Sequence, residues 1–146
     1  MDPGALAGDV GFLLSRTSGL VVRAVNAGLA GHGLRVRQYS VLVLAADSGD
    51  GVSQRDLAIT LGLDPSQIVL LVDELQAAGL VERRPAPADR RTRLVAATAR
   101  GRRVRRAAVE GAHEGVRRQL GALSDEEQET LRALLERVVA TAEPEP

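Results

Sequence analysis

The chain has 146 residues and a mass of 15.4 kDa, the size of one domain or one subunit of an oligomer, and 45% of it is apolar, enough for a core. It contains no cysteine, which excludes disulfide frameworks, thiolate metal sites, iron–sulfur clusters and thiol redox sensing. Nineteen Arg and nineteen acids cancel, with no Lys at all, yet residues 80–106 hold ten Arg against Glu82 and Asp89, and the segments on either side are net acidic.

The first predicted element is an amphipathic helix from residue 5 to about residue 31. It places Leu6, Val10, Leu13, Leu14, Val21, Val25 and Leu29 at helical spacing, softened by Gly11, Gly19 and Gly28. The opening MDPGALAGD lacks the basic start of a secretory signal, and no apolar run approaches a membrane span, so a cytoplasmic location is expected. Gly31 and Gly33 end this helix. A second helix, from about 35 to 47, is apolar almost all round over 41–46 and is expected at the centre of the fold. After the turn DSGDG, Ser53 caps a third helix that ends at Gly62, with Asp56 making an approximate capping box. Asp64 caps the fourth, Pro65 stands in its first turn, and Gly79 follows its end.

Two short runs, 80–84 and 93–98, flank an eight-residue, Pro-containing connection and read as a β-hairpin with a projecting tip. An Arg-rich helix from about 99 to 120 comes next. Ser124 and Glu127 then form a capping box before a helix with Leu131, Leu134, Leu135, Val138 and Val139 on one stripe. The tail 142–146 is expected to fray. Ala, Leu and Val supply 60 residues while Phe12 and Tyr39 are the only aromatics, which suits close helix contact over bulky filling. The expected fold is mainly α with a small β-hairpin.

Residues 54–71 fit a helix-turn-helix. Ala58, four after Gln54, sits where two helices cross, Gly62 makes the turn, and Leu57, Leu61, Ile68 and Leu71 form the shared core. A basic hairpin directly after this motif is the order of a winged helix, in which one helix enters the major groove and the wing reaches the minor groove or phosphates. Double-stranded DNA is the expected partner. The candidate contacts are Ser53 and Gln54 at the start of the third helix and, in the wing, Arg83, Arg84, Arg90, Arg91 and Arg93. All-Arg usage alone has a plainer source in GC-rich coding, so the weight rests on where the charge lies.

The segment GLVERRPAPADRRTRLVAAT followed by ARGR resembles the wing and following helix start of the multiple-antibiotic-resistance regulator (MarR) family. The matching positions are Gly79 to Arg83, Asp89-Arg90-Arg91, Leu94-Val95 and Thr98 to Gly101; GLRVRQYSVLVLA and SQRDLAITLGLDPSQIVLLVDEL resemble the preceding helices. The resemblance covers essentially the whole chain. It implies a homodimer with interlocking terminal helices, a near-palindromic operator, repression of transcription, and release by a small anionic or phenolic effector. It also implies that Arg91 enters the minor groove, that a salt bridge from Asp89 orients Arg91, and that Ser66 and Gln67 reach phosphate or base edges. Where relatives often carry a polar residue and then Arg, this chain has Val69 and Leu70; either both face the groove and meet thymine methyls, or Leu70 packs inward.

By the same resemblance, dimerisation helices at 1–34 and 99–146 flank a DNA-binding unit at 35–98. Arg16, Arg23, Tyr39 and His113 are candidates for lining an effector site between them, each with a plainer reading as a core phenol or a solvated or interface side chain. His32 and His113 lack ligand-spaced acids, so no metal is expected; nor is a cofactor. No Gly-rich phosphate loop or nucleophile–base set supports an enzyme. The alternative is a helical dimeric protein-interaction adaptor, which leaves the wing arginines unused.

Overall fold

Asp9 sets where the chain first becomes helical. Its carboxylate accepts from the Phe12 amide at 2.7 Å, capping α1 (Val10–Leu29). The helix therefore begins later than residue 5, and Leu6 lies in a turn, half exposed. The computed structural model describes Gly4 and residues 6–142, so the tail from 143 onward lies outside the described residues.

A 3-10 turn (Ala30–His32) leads to α2 (Val36–Asp47), β1 (Val52–Ser53), α3 (Gln54–Leu61), α4 (Pro65–Ala77), β2 (Val81–Pro85), β3 (Arg93–Ala97), α5 (Ala99–Gln119) and α6 (Asp125–Ala140). The sheet is antiparallel in the order β1-β3-β2, with Val52 opposite Val95 and Arg83 opposite the same residue from the other side. Strand β1 is an addition to the expected hairpin. Its two residues are too few to show a period, and they tie the start of α3 to the wing.

Helix α2 is central, as its apolar run implies: Val41, Leu42 and Ala45 are inaccessible. Around it Leu57, Ile68, Val72, Leu75 and Val95 are also fully buried, each such side chain worth about 1.5–3 kcal/mol. The Thr98 hydroxyl donates to the Gly79 carbonyl at 2.7 Å and accepts from Gly101 N–H, which anchors the start of α5 to the entry of β2.

Helices α1 and α5 meet backbone to backbone. A Cβ built on Gly28 would lie 2.0 Å from the Gly111 carbonyl oxygen, and one on Gly111 would lie 2.2 Å from that of Gly28. One turn further along α5, Gly115 faces Ala24 in the same way. By contrast α6 buries none of its residues. Leu134, Leu135, Val138 and Val139 are 40–70% exposed, and so are Val10, Leu13 and Leu14 of α1 to 44–69%. Between them α1, the end of α5 and α6 leave an apolar groove of about 690 Å³.

Candidate nucleic-acid interface

Local caps shape the helix-turn-helix. The Ser53 hydroxyl accepts from Asp56 N–H at 3.1 Å and donates to the Asp56 carboxylate at 2.7 Å, so the carboxylate accepts from the hydroxyl and only half of a capping box forms. Gly62 turns the chain at φ +60°, a conformation that costs glycine nothing, and its N–H closes on the Ala58 and Ile59 carbonyls. Asp64 then accepts from both the amide and the hydroxyl of Ser66, at 2.9 and 2.6 Å, and these bonds hold its carboxyl below the usual aspartate range. In return the Asp64 amide donates to Gln67 Oε1 at 3.3 Å, completing a full capping box.

Ser66 and Gln67 are thus exposed at the start of α4 but already bonded locally, with the Gln67 amide nitrogen as its free end. Val69 is 39% and Leu70 63% exposed. The inward reading of Leu70 does not hold: Ile68 and Val72 fill the core side of the helix, and Leu70 falls on the outer face.

In the wing, Ala86 N–H donates to the Thr92 carbonyl at 2.8 Å and closes the loop 86–92. Asp89 folds its tip. One carboxylate oxygen accepts from the Arg91 backbone N–H at 3.0 Å and the other from the Thr92 hydroxyl at 3.3 Å. The expected Asp89–Arg91 salt bridge is not among the described ion pairs; Asp89 orients Arg91 through its backbone, as an Asx turn does. Arg90, Arg91 and Arg93 are exposed and have no ion partner among the described residues. Arg84 is partly exposed, 4.0 Å from Glu82. Arg83 is placed differently. It bonds Gln54, Gln76 and Asp73 with three different nitrogens.

Further down the basic segment, Arg102 donates to the Ala46 carbonyl at 2.9 Å and Arg105 pairs with Asp47 at 3.1 Å. Two arginines that add to the local field therefore serve the carbonyl end of α2, where the helix dipole favours cations.

None of the four candidate effector residues lines a described cleft. Arg16, Arg23 and His113 are exposed, and Tyr39 packs against the core. None lines the cleft that does open between α1, the start of α2 and α4, with a volume of about 380 Å³. There Val22 and Asn26 face Arg35, Arg37 and Gln38, with Leu71 and Glu74 of α4 closing the far wall. Asn26 accepts from Val36 N–H at 2.8 Å, and Gln38 Nε2 donates to Glu74 at 2.7 Å. The sequence signal was Asn26 itself, a polar residue within an otherwise apolar helix face.

Residues 32–92 match the sequence model of the MarR family. The putative transcriptional regulatory protein for the hcr operon of Thauera aromatica is 32% identical over 92% of this chain and 81% of its own length. Among solved structures, CouR from Rhodococcus jostii RHA1 bound to p-coumaroyl-CoA is 49% identical, with a TM-score of 0.86 over 93% of this chain and 95% of that one. The transcriptional repressor CouR bound to a 23-mer DNA duplex is 28% identical, with a TM-score of 0.85 over 94% of this chain and 97% of that one.

Proposed function

The chain belongs to the MarR family of transcription regulators, and on that premise we propose that it works as a cytoplasmic homodimer that represses from a near-palindromic operator. The observation that carries this reading is the pairing of an exposed α4 face, formed by Ser66, Gln67, Val69 and Leu70, with a wing whose Arg90, Arg91 and Arg93 have no ion partner among the described residues. Helix α4 lies in the major groove. Ser53 and Gln54 approach at the start of α3, and Arg91 flanks each half-site in the minor groove, with Arg84, Arg90 and Arg93 beside it. Residues 35–98 form the DNA-binding unit, and 1–34 with 99–146 supply the dimer contacts. A second copy covers the apolar groove between α1 and α6, which is far larger than an isolated surface leucine needs.

The protein is not an enzyme, and its relatives are regulators of transcription. The adaptor alternative is weaker for the same reason, and a solved relative sits on DNA. No helix among the described residues is long and apolar enough to cross a membrane.

The effector we assign is an aromatic acyl thioester of coenzyme A, supported by the p-coumaroyl-CoA bound to the relative that shares 49% identity. The α1–α2–α4 cleft receives part of it, with Arg35 and Arg37 as exposed cations for its phosphates. Because Glu74 belongs to α4, an anion entering there competes for the Gln38 amide and acts directly on the recognition helix.

Selection of bound duplexes from a random pool, followed by titration with p-coumaroyl-CoA, tests both parts. The expected result is a two-fold site with half-site centres about 10 bp apart or a multiple, and an affinity that falls about 5–150-fold with the thioester. Recovery of no preferred sequence overturns the DNA reading; unchanged affinity with the thioester overturns the effector assignment alone.

A further inference from the structure

Arg83 is one of five wing arginines and looks interchangeable with the others in the sequence. Its surroundings set it apart. It lies on β2 two residues after the buried Val81, so strand alternation sends both side chains to the inner face of the sheet. Its side chain is only 25% exposed. Nε donates to Gln54 Oε1 at 2.9 Å, Nη1 donates to Gln76 Oε1 at 2.9 Å, and Nη2 pairs with Asp73 Oδ1 at 2.7 Å. A planar guanidinium can serve three acceptors in fixed directions at once; an ammonium on a flexible stem cannot.

We propose that Arg83 is a positioning residue for DNA recognition rather than a DNA contact, locking the wing, α3 and α4 into one reading unit. This rests on the DNA-binding role stated above. Reaching a phosphate would strip Arg83 from all three acceptors and leave Asp73, 57% exposed on the recognition helix, as a bare negative charge beside DNA. The same bonds fix the Gln54 amide. With Oε1 held by Arg83, the free end of Gln54 is its NH2 group, a donor at the start of α3, which suits a phosphate.

The test uses the full-length protein, a duplex selected from a random pool by the wild type, and a scrambled duplex of the same composition. Both are titrated at several salt concentrations, with circular dichroism to show that each variant is folded. Arg83→Lys keeps the charge and removes the fork. It is expected to lose about tenfold or more on the selected duplex while binding the scrambled duplex, which needs only charge, like wild type. Asp73→Asn, at an exposed position that tolerates change, removes an acid and should tighten binding to both duplexes through charge alone. Positioning instead predicts that the ratio of selected to scrambled affinity falls. If Arg83→Lys matches wild type on the selected duplex, or if Asp73→Asn leaves that ratio unchanged, the positioning role is wrong. Failure of the wild type to prefer any duplex is a separate result and strikes the DNA-binding role itself.

Discussion

Replacing Gly28 or Gly111 by Ala tests the α1–α5 crossing. The new methyl carbon at residue 28 would stand 2.0 Å from the Gly111 carbonyl oxygen, and at residue 111 it would stand 2.2 Å from that of Gly28. Both obstacles are main-chain atoms inside helices, which cannot rotate aside, so the helices must part by more than an ångström. Alanine returns about 1 kcal/mol of helix propensity, whereas overpacking of this kind costs about 1–3 kcal/mol and more when the neighbour is rigid. We expect a net loss of about 2 kcal/mol for each variant. For a chain of this size that lowers the melting temperature by about 4–8 °C. Thermal unfolding followed by circular dichroism measures it, at one fixed protein concentration because dimer stability depends on concentration. Gly31→Ala is the control: it lies three residues beyond Gly28 with no atom near the added carbon, and it should be neutral or stabilising by up to about 1 kcal/mol. A Gly28→Ala protein that melts at or above wild type refutes the steric argument.

Arg91→Ala should weaken binding to the selected duplex and flatten the slope of log K against log salt by up to about 2 per dimer; a wild-type slope in salt titrations removes the wing from the interface. Truncation after Leu123 deletes α6 and one wall of the apolar groove, and light scattering should find the product monomeric; a dimer of full strength contradicts the assigned interface. The carboxyl of Asp64 is held low by Ser66 in the folded state, so its contribution is fully present above the ordinary aspartate value and is lost as pH falls from there through the lowered folded-state value. Melting curves of Asp64→Asn should therefore show less acid sensitivity than wild type between neutral pH and about pH 3, and parallel curves would show that the cap contributes nothing.

What could be read from the sequence was what acts over a few residues. The N-cap at Asp64, the capping box of Ser124 with Glu127, the Gly62 turn and the central place of α2 all depend on neighbours or on period, and all appear in the structure. Leu70 was ambiguous because Ile68, Val69, Leu70, Leu71 and Val72 form one apolar run, in which no polar residue marks the outer face. Arg83 could not be told from Arg91 because its acceptor Gln54 lies 29 residues away in the chain. Strand β1 escaped because two residues carry no pattern, and the cleft between α1, α2 and α4 because its walls come from three helices, each contributing only a few side chains. The stripe on α6 was legible, and it stays exposed in the single chain.

That uncovered last helix has a consequence for how the regulator behaves in a cell. If Leu134, Leu135, Val138 and Val139 find shelter only against another copy, the species that can hold two half-sites grows with the square of the subunit concentration while dimers are scarce. Halving synthesis then leaves about a quarter of the competent species. The amount of protein made becomes an input in its own right, alongside any small molecule. An allele that keeps α1, α5 and α6 but has a damaged wing would also be dominant, because it would draw intact subunits into mixed pairs with a single working head.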